Sequence, residues 1–277
     1  MKFQPDQKRL YKDVEFLTSI APFRNYKNIE SLRKAAAYIK NEFEKTGLQT
    51  EIQTWEAAGN IYENVIASYL PDQKLRFVVG AHYDVYKDQP GADDNASGVA
   101  GLIELARLFS ESGIAPEYGI DFVSYCLEEP PFFRKKEMGS YVHSESVYRA
   151  GKEVIGMISI EMIGYYGEKQ NRSADHENFL VVSGIKKFEA FNSKLTALLR
   201  EADEIIIRKV SYADDAKNNG PSDHRNYWKF DYPGVMLLGT SKEKNPNYHN
   251  NSDTIETLDF EVMSKAVKAI ANAVFNF

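Results

Sequence analysis

Residues 78–98 read VVGAHYDVYKDQPGADDNASG, an apolar run that stops at His82 and gives way to a loop dense in carboxylates. Leu75 to Ala81 is rich in β-formers and carries no charge except Arg76, which predicts a strand buried on both faces, as in parallel sheets. His82 and Asp84 leave its carboxyl end together. Side chains two apart on a strand share a face, so Asp84 can accept the imidazole N–H of His82 and leave the other ring nitrogen free for a metal. Pro90-Gly91 and Asp93-Asp94-Asn95 turn the chain. Ala96-Ser97-Gly98 then opens a helical run, Val99 to Phe109, with Leu102, Ile103, Leu105, Ala106 and Leu108 as its core face. In open α/β sheets, ligands collect beyond the carboxyl ends of strands, where this stretch places His82, Asp84, Asp93 and Asp94. Taken singly, a histidine after a strand is more often structural and an acidic turn more often a cap. Strand, acidic loop and helix in succession favour a site.

The chain has 277 residues, 43% hydrophobic and 27% charged, enough for a full core and near the upper size of one domain. The expectation is a single α/β domain over residues 1–277. A formal net charge of −6 leaves no basic stripe to neutralise phosphates, which excludes a dominant nucleic-acid or anionic-membrane surface. The lone cysteine, Cys126, excludes an intramolecular disulfide and fits a reducing compartment. MKFQPDQKRLYKDVEF has no apolar segment of the signal-peptide kind, and no later stretch reaches membrane-spanning length. Cytoplasmic location is the default expectation, and export the expectation if a leader segment has been removed. The Asn-x-Ser patterns at Asn95, Asn171 and Asn250 read as chance.

Asp6 to Ile20 and Asn28 to Thr46 predict amphipathic helices, the second with Asn28 as N-cap and Gly47 as its stop. Leu48 to Trp55 and Asn64 to Tyr69 predict strands of a meander at a sheet edge. Ile120 to Leu127 predicts a buried strand ending on Glu128-Glu129-Pro130-Pro131, where proline ends the ladder and Pro130 holds Glu129 extended. Val154 to Met162 repeats the pattern with Glu161 near its carboxyl end. A loop, Gly167 to Glu177, precedes a strand at Phe179 to Val182 and a helix at Phe188 to Ala202. Tyr212 to Asp231 reads as irregular and contains Ser222-Asp223-His224. Gly234 to Leu238 is a last short strand, then a loop with His249 leads to a closing helix, Leu258 to Phe277. His82, Glu128-Glu129 and Glu161 thus stand at three strand ends and His249 after a fourth, a His and carboxylate mixture suited to a borderline cation such as zinc. His143, His176 and His224 keep a structural or surface reading.

Together GAHYD, PGADDNASG, LEEPP, SIEMIGYY, SDH and YHNNSDT resemble the zinc aminopeptidases of peptidase family M28, over most of the chain from Asn28 onward. The resemblance implies a three-layer α/β sandwich around a central mixed, mostly parallel sheet, and a two-zinc site. Carried over by position, His82 and Glu161 hold one zinc, Glu129 and His249 the other, and Asp94 bridges them, with a cis peptide expected at Asp94-Asn95. Glu128 takes the position of the general base and Asp84 that of the residue orienting His82. The activity implied is hydrolysis of the N-terminal peptide bond of peptides with a free N-terminus. Glu161 departs from the aspartate of many members. Asn219 stands where some members have an oxyanion-stabilising tyrosine, which leaves that role unassigned, with Tyr212, Tyr227 and Tyr248 as candidates that no motif supports.

The alternative enzyme is a glutaminyl-cyclase-like acyltransferase with one zinc and an aromatic-walled pocket; neither Trp55 nor Trp228 adjoins the ligands in sequence. A third reading is a non-catalytic relative serving as a binding protein, although all five ligand positions and the base are filled.

Overall fold

The computed structural model describes residues 3–167, 178–214, 222–240 and 245–277. Its strands are β1 (Gln49–Ala57), β2 (Asn60–Tyr69), β3 (Leu75–His82), β4 (Gly119–Tyr125), β5 (Glu153–Glu161), β6 (Phe179–Ile185), β7 (Ile206–Tyr212) and β8 (Gly234–Leu238). They form one mixed sheet in the order β1-β2-β4-β3-β5-β8-β6-β7. The helices are α1 (Gln7–Thr18), α2 (Ile29–Glu44), α3 (Gly98–Ser112), α4 (Gly139–Arg149), α5 (Glu189–Arg200), α6 (His224–Trp228) and α7 (Phe260–Phe275).

The four neighbours β4, β3, β5 and β8 run parallel, and β3 is buried except at Leu75. Alternation along β3 explains its apolar run. Phe77, Val79 and Ala81 join the main core with α1, α2, α3, α5 and α7, while Val78 joins a smaller core on the other face with Tyr125, Val147 of α4 and Tyr227 of α6. A strand covered on both sides has no solvated face to mark with polar residues. From β3 the chain passes to β4 on one side and then to β5 on the other, so β3 stands where crossovers change direction, the place where α/β sheets open a crevice at their carboxyl edge.

Three elements differ from the sequence reading. Helix α4 lies where no element is expected, because Ser140, His143 and Ser144 are buried on its inner side and its apolar periodicity is correspondingly weak. Strand β7 is missed because it sits at the sheet edge, pairs only with β6 and is mostly exposed. Helix α6 interrupts the stretch read as irregular and is too short to show a helical period. Asn28 does precede α2, but its side chain makes no cap bond and donates instead to the Phe23 carbonyl at 2.8 Å.

The outer helices are tied by buried charges. Arg107 of α3 donates to Asp13 of α1 at 3.3 Å, to Glu104 at 3.1 Å and to Glu42 of α2 at 2.6 Å, and all three acids are at most 4% exposed. Burial pushes the Asp13 carboxyl up to about 6 despite Arg107. Removing one partner of such a network leaves uncompensated buried charge. Arg107→Met should therefore lower stability by about 3–5 kcal/mol in urea unfolding at neutral pH; a loss under about 1 kcal/mol would place the network with exposed ion pairs.

Candidate functional site

The carboxyl ends of the parallel strands carry the residues singled out in the sequence. His82 ends β3, Glu161 ends β5, Glu128 and Glu129 follow β4, and His249 follows β8. His82 Nε2 stands 3.4 Å from Asp94 Oδ1 and 3.4 Å from Glu161 Oε2. On the other side, His249 Nε2 stands 3.2 Å from Asp94 Oδ2 and 3.2 Å from Glu129 Oε1. Two groups that could each hold a cation, His82-Asp94-Glu161 and Asp94-Glu129-His249, thus share Asp94, with ligand atoms in each group within 4.8 Å of one another. Asp94 turns one oxygen to each group. Its Oδ2 is buried and, although His249 Nε2 is 3.2 Å away, makes no well-aligned hydrogen bond among the described residues, an arrangement that a cation between the two would satisfy. His82, Glu128 and Glu129 form a third such group.

Local backbone geometry delivers these side chains. Adjacent residues on a regular strand point to opposite faces, yet β4 stops at Tyr125 and Leu127 adopts a left-handed conformation with φ 65°, turning the chain before Glu128. The Asp84 carboxylate then accepts both following amides, Glu128 N–H at 3.1 Å and Glu129 N–H at 3.0 Å. Met162, just after Glu161, and His249 itself also take left-handed conformations, with φ 49° and 59°. Such strain in bulky residues persists where surrounding contacts over-determine it and clusters at functional sites. The peptide Asp94-Asn95 is cis, as the sequence reading expects.

The expectation for Asp84 is modified in one respect. His82 Nδ1 donates to the Asp84 backbone carbonyl at 3.1 Å, while the nearer carboxylate oxygen is 3.5 Å away. A carbonyl can only accept, so this bond fixes the proton on Nδ1 and leaves Nε2 free to ligate. The carboxylate itself serves the two amides.

Several supporting residues carry no sequence assignment. Asp253 accepts the amides of Asp93 at 2.8 Å and Asp94 at 3.1 Å. Asp93 in turn accepts Gly164 N–H at 2.8 Å, Tyr165 N–H at 3.0 Å and the Asn245 side-chain amide at 2.8 Å. Ser222 and Ser159 both donate to Glu161 Oε1, Ser159 at 3.2 Å, which leaves Oε2 for His82. Tyr86 and Tyr248 stack on opposite sides of the His249 ring at 4.1 and 3.8 Å. Asp253 lies within YHNNSDT and Asn245 just before it, and only that motif could have pointed to them. His143 and His224 stay outside the cluster. His143 contacts Tyr227 Oη at 2.6 Å and His224 packs edge-on against Trp228 at 4.8 Å; burial pulls them down to about 4 and about 3, so both are neutral. His176, Asn171 and Asn219 lie outside the described residues.

The sequence model of peptidase family M28 matches residues 64–274. The uncharacterized protein YfbL of Escherichia coli is 37% identical over 98% of this chain and 88% of its own length. The chain belongs to peptidase family M28. Among other relatives, a probable leucine aminopeptidase of Arthroderma otae is 29% identical over 76% of this M28 chain, which spans 56% of that protein. The fold matches the Legionella pneumophila LapA aminopeptidase, with a TM-score of 0.81 at 22% identity over 97% of this chain and 71% of that one. It also matches a Bacteroides thetaiotaomicron glutaminyl cyclase, with a TM-score of 0.79 at 21% identity over the whole of both chains. Aminopeptidases and cyclases thus share this fold. Among the described residues no helix is long and apolar enough to cross a membrane.

Without a cation, this M28 site must hold its negative charge with protons. Burial, reinforced by Asp94 and opposed by His249, pushes Glu129 up to about 7. Burial, with Asp253 adding, pushes Asp93 up to about 8, and burial likewise pushes Asp253 and Asp223 up to about 7. Burial lowers the affinity of His249 for a proton, but Asp94 and Glu129 outweigh it and raise His249 to about 9. Burial is likewise outweighed at Asp94, which the two histidines hold below the usual carboxylate range. Each raised group keeps its proton in the folded chain at pH values where the unfolded chain has released it, above about 4 for a carboxyl and 6.5 for histidine. The folded chain then binds more protons, so stability falls as pH rises. Asp94 acts oppositely only at strongly acid pH, and His143 and His224, pulled down by burial, act oppositely up to about pH 7, where the raised groups outnumber them. The melting temperature of chelator-treated protein should fall from pH 6 to pH 9. A rise over that range would overturn this account of the cluster's protonation.

Proposed function

We propose that the chain, acting as one metallopeptidase domain, is a two-zinc aminopeptidase. The observation carrying this reading is Asp94, shared between two groups of cation ligands through separate oxygens. In the proposal His82 and Glu161 complete one position, Glu129 and His249 the other, and Asp94 bridges. Names of relatives such as the leucine aminopeptidase agree with it.

When bound, the cation pair supplies Lewis acidity toward a carbonyl and makes water acidic enough to attack at neutral pH. Glu128 is the general base. Without a cation its carboxyl is pushed well above the usual range, first by burial and then by Glu129, Asp223 and Glu161, with His82 opposing; it lies with His82 and Glu129 at the cluster, where a bound cation pair would favour the ionised form a base needs. It accepts a proton from the attacking water and returns it to the amine as the C–N bond breaks, which releases the N-terminal amino acid and a shortened peptide. The site carboxylates provide acceptors for a free α-amine.

Tyr248 is the best-placed oxyanion donor of the three candidate tyrosines. Its ring stacks on His249, and its hydroxyl is held protonated by burial and by the charges of Asp94, Glu129, Glu128 and Glu161. Tyr227 is engaged with Tyr125 and His143, and Tyr212 lies at the end of the exposed edge strand β7.

The experiment is metal analysis of the fully loaded protein, combined with turnover of free and N-acetylated peptides. Two ions per chain and turnover of free N-termini only are expected. A single ion with cyclisation of an N-terminal glutamine would favour the cyclase reading, and equal turnover of both peptides would exclude an exopeptidase. Glu128→Gln should lower kcat by roughly 10²- to 10⁴-fold and Tyr248→Phe by about 10²- to 10³-fold, both with two ions retained. Glu129→Gln should instead weaken binding of the ion shared with His249. Loss of metal from the Glu128 variant would reverse the assignment of the two acids.

A further inference from the structure

The segment from Tyr83 to Gly91 touches both halves of the cluster. His82 precedes it and Asp94 follows it. Within it, Asp84 holds the His82 ring and the amides of Glu128 and Glu129, and Tyr86 stacks on His249. Its far end is tight: Gly91 has φ 60°, and a Cβ there would meet Val85 Cγ1 at 2.3 Å and the Asp94 carbonyl at 2.5 Å.

Both ends of this segment are fastened by one side chain from the N-terminal layer. Arg24 is completely buried. Its Nε donates to the Tyr83 carbonyl at 3.0 Å, Nη1 to the Pro90 carbonyl at 3.1 Å and Nη2 to the Gly91 carbonyl at 3.2 Å, while Nη1 also reaches Leu17. The backbone adds Val85 N–H to the Arg24 carbonyl at 3.0 Å. Next to it, the Asn25 side-chain amide donates to the Lys87 carbonyl at 2.8 Å and to Asp88 Oδ1 at 2.9 Å, which fixes the middle of the segment.

A guanidinium offers five N–H donors in a rigid planar fork, whereas an ammonium offers three from one point. Only the fork can hold carbonyls at the two ends of the segment at once. Every one of these Arg24 bonds goes to a carbonyl, so its charge is left to act at longer range on Asp253, Asp84 and Asp94. An unpaired buried cation is costly in apolar surroundings but is stabilised here by the field of the acids.

We propose that Arg24 and Asn25 are positioning residues of the metal pair, setting the spacing between His82 and Asp94 through the segment between them. They lie before residues 64–274, the part matched by the family model, so the N-terminal layer becomes part of the site's construction. The inference rests on the two-ion reading above.

The test compares wild type, Arg24→Lys and Asn25→Ala. For each, the melting temperature is measured without metal, the two zinc affinities by competition with a chromophoric chelator, and ligand geometry by the visible spectrum of the cobalt(II)-loaded protein. Arg24→Lys should weaken the ion held by His82 and Asp94 by about 10- to 100-fold, as disturbed outer partners of metal ligands do, with a changed cobalt spectrum. Asn25→Ala should act in the same direction by a smaller factor, and it decides the matter if Arg24→Lys fails to fold. Variants that lose only melting temperature, with wild-type affinities and spectrum, would show that the pair supports packing alone and would overturn the proposal. A wild-type protein that takes up fewer than two ions sinks the two-ion reading itself.

Discussion

Carboxylates buried at one sheet edge, with few cations in contact, are the constraint on which this architecture rests. Asp84, Asp93, Asp94, Glu128, Glu129, Glu161, Asp223 and Asp253 are all buried there, and isolated buried charges are too expensive to keep without compensation. Part of that compensation is backbone. Asp84 takes two amides, Asp253 two more, and Asp93 a further two. These acids act as templates that hold loops by their N–H groups. The acids left with oxygens facing one another, Asp94, Glu129 and Glu161, are those that meet the histidines.

The division of labour explains why the cluster needs both sides of the parallel strands. Residues on a strand end cannot reach one another unless the chain turns, and the turns occur in left-handed residues at Leu127, Met162 and His249. None of these is glycine, so each turn is held by its surroundings rather than by intrinsic preference. Asp84 illustrates the holding: it captures both amides that follow the turn at Leu127. Asp93 does the same for the chain after Met162.

Much of this was legible in the sequence because strand ends are marked by chemistry. His82, Glu128-Glu129 and Glu161 each close an apolar run, and a run that must be buried on both faces shows its end plainly. Spacing alone could not show that Asp94 would face both histidines, since that depends on the turn from Ala92 to Ser97. The supporting residues were illegible for a different reason. Ser222, Asn245 and Asp253 act through one or two hydrogen bonds to residues far away in sequence, and no periodicity or composition signals such bonds. Helix α4 was hidden because its inner face is made of serine and histidine, and strand β7 because an exposed edge does not alternate cleanly.

Glu161 shows how a longer ligand is accommodated. A glutamate has one more methylene than an aspartate and hence more rotamers to lose on ordering, so a loosely held Glu161 would place its oxygens imprecisely. Ser159 and Ser222 remove that freedom at the same oxygen, Oε1: Ser222 donates its one proton to it, and Ser159 places its own between Oε1 and the Ser222 hydroxyl 3.0 Å away. Fixing one oxygen fixes the plane of the carboxylate and directs Oε2 toward His82 Nε2. The serine of the Ser222-Asp223-His224 motif thus has a physical role that belongs to this glutamate, and the two features of the sequence are best understood as one device.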